Sequence, residues 1–271
     1  MGHEFTGEVV EIGDNVTGVN LGDKICGINV LLDVSQGELD GLGIFKDGGF
    51  AEYVKIPEKY LFHIPDTIST KEAVMIESFA NIIRGVKQSN IGDNQKILII
   101  GGGSIGLCFL SFLLSVKHPK FIVVIEPHEY LRKKAKELGA TEALPPSMVK
   151  IKKFTKIHGD PSFIFDCVGN EDSLLMAFEL VKRGGTILLE GVHKGSVSLP
   201  VFLINSKEIC LKGNLSHDRE DILHAIDLIT QHKVDPNKLI SKVVPLKDIQ
   251  KTFEEYLEPG EREFIKVIVK M

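Results

Sequence analysis

Residues Lys96 to Glu126 constrain this chain more than any other stretch. A compact apolar run, Lys96-Ile97-Leu98-Ile99-Ile100, breaks into Gly101-Gly102-Gly103-Ser104-Ile105-Gly106. A long apolar segment follows, and a second apolar run from Phe121 to Ile125 ends on Glu126. The pattern predicts strand, tight glycine turn, helix, strand and acid. Gly101 permits the turn, Gly103 lets the backbone approach a pyrophosphate, and Gly106 lets the helix pack close to the strand. The helix start at Ser104 and Ile105 offers unpaired N–H groups and partial positive charge to phosphates. Glu126 stands 20 residues beyond Gly106, where an acid can accept hydrogen bonds from the adenosine ribose hydroxyls. The strand before, the helix after and the acid at this distance together favour a dinucleotide site over a glycine turn of another kind.

The 271 residues can hold one large or two modest domains, with ample core in either case. The formal net charge is −5 with no basic block, so nucleic-acid binding has no electrostatic support. The apolar stretch from Leu107 to Val116 is too short to span a bilayer. Cys26, Cys108, Cys167 and Cys210 are widely separated with no CxxC pair, which argues against a disulfide framework and a thiolate-only zinc site. The opening residues do not read as a secretory signal, and a cytoplasmic location is expected.

Elsewhere the pattern is mixed. Glu4–Ile12 and Lys24–Ile28 read as strands. Residues 29–49 carry Gly37, Gly41, Gly43, Gly48 and Gly49 and read as a loop. Phe50 to Ile56 alternates as a half-buried strand does. Ser69 or Thr70 is the expected N-cap of a helix running from Lys71 through Val86 to a stop at Gly92-Asp93. His128–Leu138 is an amphipathic helix. Strands are expected at Ser162–Phe165, Thr186–Glu190 and Glu208–Leu211, with a helix around Leu174–Val181. This alternation over about 94–215 predicts βαβ units and a parallel sheet. Ile222, Ile226 and Ile229 mark one more helix, and Phe264–Val269 a closing strand.

At Gly2-His3-Glu4-Phe5-Thr6-Gly7-Glu8-Val9-Val10 the chain resembles the zinc-dependent alcohol dehydrogenases of the medium-chain dehydrogenase/reductase family. Further matches, in the family's order, are Leu21-Gly22-Asp23, Gly48 to Val54, Gly101 to Leu107, Lys136 to Ala140 and Phe165 to Gly169. The resemblance implies an α/β fold: a Rossmann doubly wound parallel sheet plus a partial chaperonin-10-like (GroES-like) β-barrel. It places the catalytic domain at 1–75, the NAD-binding domain at 76–215 and a return to the catalytic domain at 216–271. It also implies a homo-oligomer, dimer or tetramer, with the Glu208–Leu211 edge as the pairing candidate.

By the same resemblance, His3 and Glu4 of the GHE motif and Glu77 of Ile76-Glu77-Ser78 are the catalytic and metal residues, holding one catalytic Zn²⁺. Ser78 stands where the sorbitol- and threonine-dehydrogenase-like branch has proline. Imidazole plus carboxylates suits zinc and leaves a position for substrate oxygen. Glu126 favours NAD(H) over NADP(H), because a carboxylate repels a 2′-phosphate. Val168, Gly191, Val192 and Asn214 are expected to line the nicotinamide half, and Lys266 to reach the pyrophosphate.

Two departures stand out. The chain begins at the GHE motif, so the family's first zinc-ligating cysteine has no counterpart here, and the expectation is a fragment or a short form with an incomplete metal site. Asn29 to Asp47 has no cysteine, so no structural zinc is expected. The activity implied is hydride transfer between NAD(H) and a small secondary alcohol, polyol or 3-hydroxy amino acid; Asn81 leans towards the last. A cofactor-binding but catalytically impaired protein and a zinc-free quinone-type reductase are the alternatives.

Overall fold

Three short strands open the chain: β1 (Glu4–Glu8), β2 (Lys24–Ile28) and β3 (Leu61–His63), followed by helices α1 (Thr70–Ala73) and α2 (Ile76–Ser89). Strands and helices then alternate: β4 (Lys96–Ile100), α3 (Ser104–Val116), β5 (Phe121–Ile125), α4 (Glu129–Glu137), β6 (Glu142–Leu144) and α5 (Met148–His158). The series continues through β7 (Phe163–Asp166), α6 (Glu171–Leu180), β8 (Thr186–Leu189), α7 (Val201–Lys207) and β9 (Cys210–Gly213). It ends with α8 (Arg219–Thr230), β10 (Ile240–Pro245), α9 (Ile249–Leu257) and β11 (Lys266–Lys270). This computed structural model describes residues 1–28, 41–193 and 195–271. The chain divides into two compact units: Met1–Asn81, Ser216–Glu258 and Lys266–Met271 form one, and Ile82–Leu215 with Pro259–Ile265 the other.

The second unit is a parallel six-stranded sheet ordered β6-β5-β4-β7-β8-β9. Ile99 pairs with Val124 on one side and Phe165 on the other. Parallel strands covered on both faces are continuously apolar, and β4 and β5 are buried along almost their whole length. One core cluster joins Leu98, Val123, Ile164, Phe178 and Ile187. Helix α3 buries Leu107, Cys108, Phe109, Leu110, Phe112 and Leu113, which explains its mostly apolar sequence without a membrane. Among the described residues, no helix is long and apolar enough to cross one. The strand order reverses between β4 and β7, and in an open α/β sheet ligands bind beyond the carboxyl ends of the strands at such a point.

The first unit has an antiparallel sheet β1-β2-β3 and a parallel pair β10-β11. Thr6 pairs with Cys26, and Cys26 with Phe62. Helix α1 opens on a capping box: Ser69 Oγ accepts from the Glu72 N–H, and the Glu72 carboxylate accepts from the Ser69 N–H.

Several expectations need correction. Phe50–Ile56 alternates but is not a strand; its described backbone pairing is Phe50 N–H to Met1 C=O and, just before it, Gly49 N–H to Gly2 C=O. Periodicity exposes one face but supplies no neighbouring ladder. The first strand stops at Glu8, and the helix expected from Lys71 breaks at Val74-Met75 into α1 and α2. Residues 41–49 form turns with a Leu42–Lys46 bridge, whereas the loop reading for 29–40, and most of the span on which the absence of structural zinc rests, lie outside the described residues.

Candidate active site

The glycine turn after β4 occupies the switch point of the second unit. Gly101 has φ +98°, a left-handed conformation that disfavours any side chain. A Cβ on Gly106 would lie 1.8 Å from the Gly101 carbonyl oxygen, so the first turn of α3 needs a glycine there. A Cβ on Gly103 would meet nothing within 4 Å: here the backbone borders open space at a helix N-terminus. Ser104 Oγ is buried without a hydrogen-bond partner among the described residues, and Ile105 follows it in the first turn of α3. Open space, an unpartnered hydroxyl and the start of a 13-residue helix fit an anionic pyrophosphate.

Glu126 follows β5 and is buried. Its Oε2 accepts from Gly102 N–H at 2.7 Å and its Oε1 from His128 N–H at 2.9 Å. The acid therefore ties the glycine turn to the start of α4. Arg132 turns to the backbone, donating to the carbonyls of Glu126, at 2.9 Å, and Pro127. Beyond β7, Val168 is half-exposed and its Cγ2 would lie 2.9 Å from a Cβ on Gly101. Gly169 and Gly191 abut backbone to backbone, and Val192 beside them is exposed. Asn214 donates to Glu190 Oε2 at 2.8 Å.

In the first unit, His3, Glu4 and Glu77 each present one ligand atom, all within 4.8 Å of one another. Residues from β1 and its approach thus meet the first turn of α2. Ser78 Oγ donates to Glu4 Oε1 at 2.6 Å, and Lys266 Nζ of β11 pairs with Glu4 Oε2. Burial pushes the Glu4 carboxyl up, but the Lys266 ammonium, with hydrogen bonds involving Lys266, Ser78 and Glu77, outweighs it and brings it down to about 2. A permanent carboxylate beside an imidazole and a second carboxyl group is a donor set that suits zinc. Lys266, expected at the pyrophosphate, has its ammonium on Glu4.

Sequence reasoning missed two residues here. Ser78 reads as a mere departure from proline, yet its hydroxyl binds Glu4. His217 is buried, with Nε2 3.5 Å from Glu77 Oε1. No local pattern announces it, because only the tertiary fold brings the segment before α8 to α2.

Residues 1–66 match the family model for the alcohol dehydrogenase GroES-like domain, and residues 104–231 that for zinc-binding dehydrogenase. The chain belongs to the zinc-dependent alcohol dehydrogenases of the medium-chain dehydrogenase/reductase family. An L-threonine 3-dehydrogenase of Francisella tularensis subsp. novicida is 29% identical over 280 residues, covering 93% of this chain and 78% of that relative. Among solved structures, an alcohol dehydrogenase from E. coli CFT073 complexed with NADH shares the dehydrogenase fold with a TM-score of 0.92 at 25% identity, covering 100% of this chain and 83% of that one. A zinc-binding dehydrogenase from Sinorhizobium meliloti 1021 bound to NADP follows at 0.89 and 26%, with coverage of 100% and 83%.

Proposed function

We propose that this family member is a zinc-dependent oxidoreductase that transfers a hydride between NAD(H) and a small secondary alcohol, polyol or 3-hydroxy amino acid. The observation that carries the reading is the convergence of His3, Glu4 and Glu77 within 4.8 Å. These three side chains would hold the ion. When bound, zinc supplies Lewis acidity at the substrate hydroxyl. Lys266 and Ser78 keep Glu4 ionised and oriented without any other ligand.

On the cofactor side, the Gly101–Gly106 turn and Ser104 would take the pyrophosphate. Glu126 would accept from the ribose hydroxyls through lone pairs not used by Gly102 and His128, and its charge disfavours a 2′-phosphate. Val168, Gly191, Val192 and Asn214 would border the nicotinamide. The L-threonine 3-dehydrogenase among the relatives supports a 3-hydroxy amino acid within the substrate class.

A second reading, a dinucleotide-binding protein with impaired chemistry, is favoured by one observation: both Glu4 oxygens are already engaged, by Ser78 and Lys266. Elemental analysis of the purified chain, together with NAD⁺-linked oxidation of L-threonine, butane-2,3-diol and sorbitol, separates the two. About one zinc per chain with turnover of any of these supports the first. Saturable NADH binding with no zinc uptake and no turnover supports the second and overturns the first.

A further inference from the structure

Helix α8 is preceded by Ser216-His217, a pair that the dinucleotide and metal readings leave without a task. Ser216 holds φ +61°, a left-handed conformation that a serine adopts at a cost. Immediately after His217, Asp218 and Asp221 form a reciprocal capping box, with bonds of 3.0 and 3.1 Å. The backbone on both sides of His217 is therefore fixed. Its imidazole is fully buried, and neither Nδ1 nor Nε2 has a hydrogen-bond partner among the described residues. The group it stands against is Glu77, with Nε2 3.5 Å from Oε1.

That separation is just beyond a normal N–H···O bond. His217 stands outside the trio whose ligand atoms lie within 4.8 Å of one another. The two carboxylates then have parallel surroundings: Lys266 and Ser78 hold Glu4, and His217 faces Glu77. Carboxylates that ligate metals are themselves held by hydrogen bonds from outside the ligand set, and removal of such a donor costs roughly 10–100-fold in metal affinity.

We infer that His217 is a positioning residue of the metal site: its Nε2–H donates to Glu77 and holds that carboxylate where it meets His3 and Glu4. The inference rests on the reading of the trio as a zinc site.

The test uses the full chain, stripped of metal and titrated with zinc against a chromogenic chelator. His217→Leu should bind zinc roughly 10–100-fold more weakly than wild type, and His217→Gln, which keeps an N–H donor, should recover part of the loss. Thermal denaturation supplies a readout that a filling role would not move. The rise in Tm on adding zinc should shrink in His217→Leu, beyond any change common to the metal-free proteins. If His217→Leu does not fold, His217→Phe serves as the variant without a donor. Wild type that binds zinc while the donor-free variant binds it equally well overturns the role of His217 alone. Equal losses of zinc affinity in His217→Leu and His217→Gln overturn it in favour of packing, because the retained donor then makes no difference. Wild type that takes up no zinc overturns the reading of the trio, and this inference with it.

Discussion

Ser78 Oγ donates a 2.6 Å hydrogen bond to Glu4 Oε1, although 74 positions separate the two residues along the chain. The bond joins the first turn of α2 to β1 and reaches an ionised acceptor. A hydrogen bond to a charged group contributes about 1.5–3 kcal/mol. Ser78→Ala is expected to lower the unfolding free energy by about that much in urea denaturation at neutral pH. A loss below about 0.5 kcal/mol would mean that water replaces the hydroxyl without cost.

Acid should expose the Glu4–Lys266 pair. Despite burial, which pushes it up, the Glu4 carboxyl is held at about 2 by Lys266 and its hydrogen-bonding neighbours. A carboxyl depressed in the folded state contributes stability above its unfolded value, and that contribution is lost as pH falls towards the folded one. Metal-free wild type should therefore exceed metal-free Glu4→Gln in unfolding free energy near neutral pH by at most about 3 kcal/mol. The gap should close between the ordinary carboxyl value of 4.5 and about 2. A gap that stays constant over this range refutes the assignment.

Two glycines of the same turn should behave differently. Gly106→Ala drives a methyl group into the Gly101 carbonyl, and overpacking against backbone should cost about 3 kcal/mol or more. Gly103→Ala meets no atom and should stay within about 1 kcal/mol of wild type, yet lose NADH affinity because the methyl occupies the space left for the pyrophosphate. Calorimetry and NADH fluorescence titration measure the two effects separately. Full NADH affinity in Gly103→Ala would remove the phosphate from this position.

Glu126→Ala should weaken NAD(H) binding much more than NADP(H) binding, measured by titration with each cofactor. It should also lower Tm even without cofactor, because Gly102 N–H and His128 N–H lose their acceptor; an unsatisfied buried donor costs about 1–3 kcal/mol. Equal losses for both cofactors would defeat the ribose assignment.

The strand, turn, helix and strand of residues 96–125 are legible almost residue for residue, because parallel strands buried on both faces are written as unbroken apolar runs. Where the pattern is weaker, tertiary partners decide. Met148–His158 is a helix whose many lysines mask its inner face of Ile151 and Thr155. Ile240–Pro245 ends on a proline and becomes a strand by pairing with β11. Phe50–Ile56 shows the reverse, a strand pattern without a strand. Within the candidate site, His3, Glu4 and Glu77 are marked by motif, whereas Ser78 and His217 are not. Their tasks follow from contacts that join distant parts of the chain, which no window of sequence contains.

The first unit is assembled from three separate stretches, Met1–Asn81, Ser216–Glu258 and Lys266–Met271, while Ile82–Leu215 of the second is continuous. On the ribosome, the strand pairs of the parallel sheet all lie within Ile82–Leu215 and can therefore close before the last stretches of the first unit are made. Glu4 must wait for Lys266, 262 positions later, and Glu77 must wait for His217. A chain halted before Lys266 would leave Glu4 without its counter-ion.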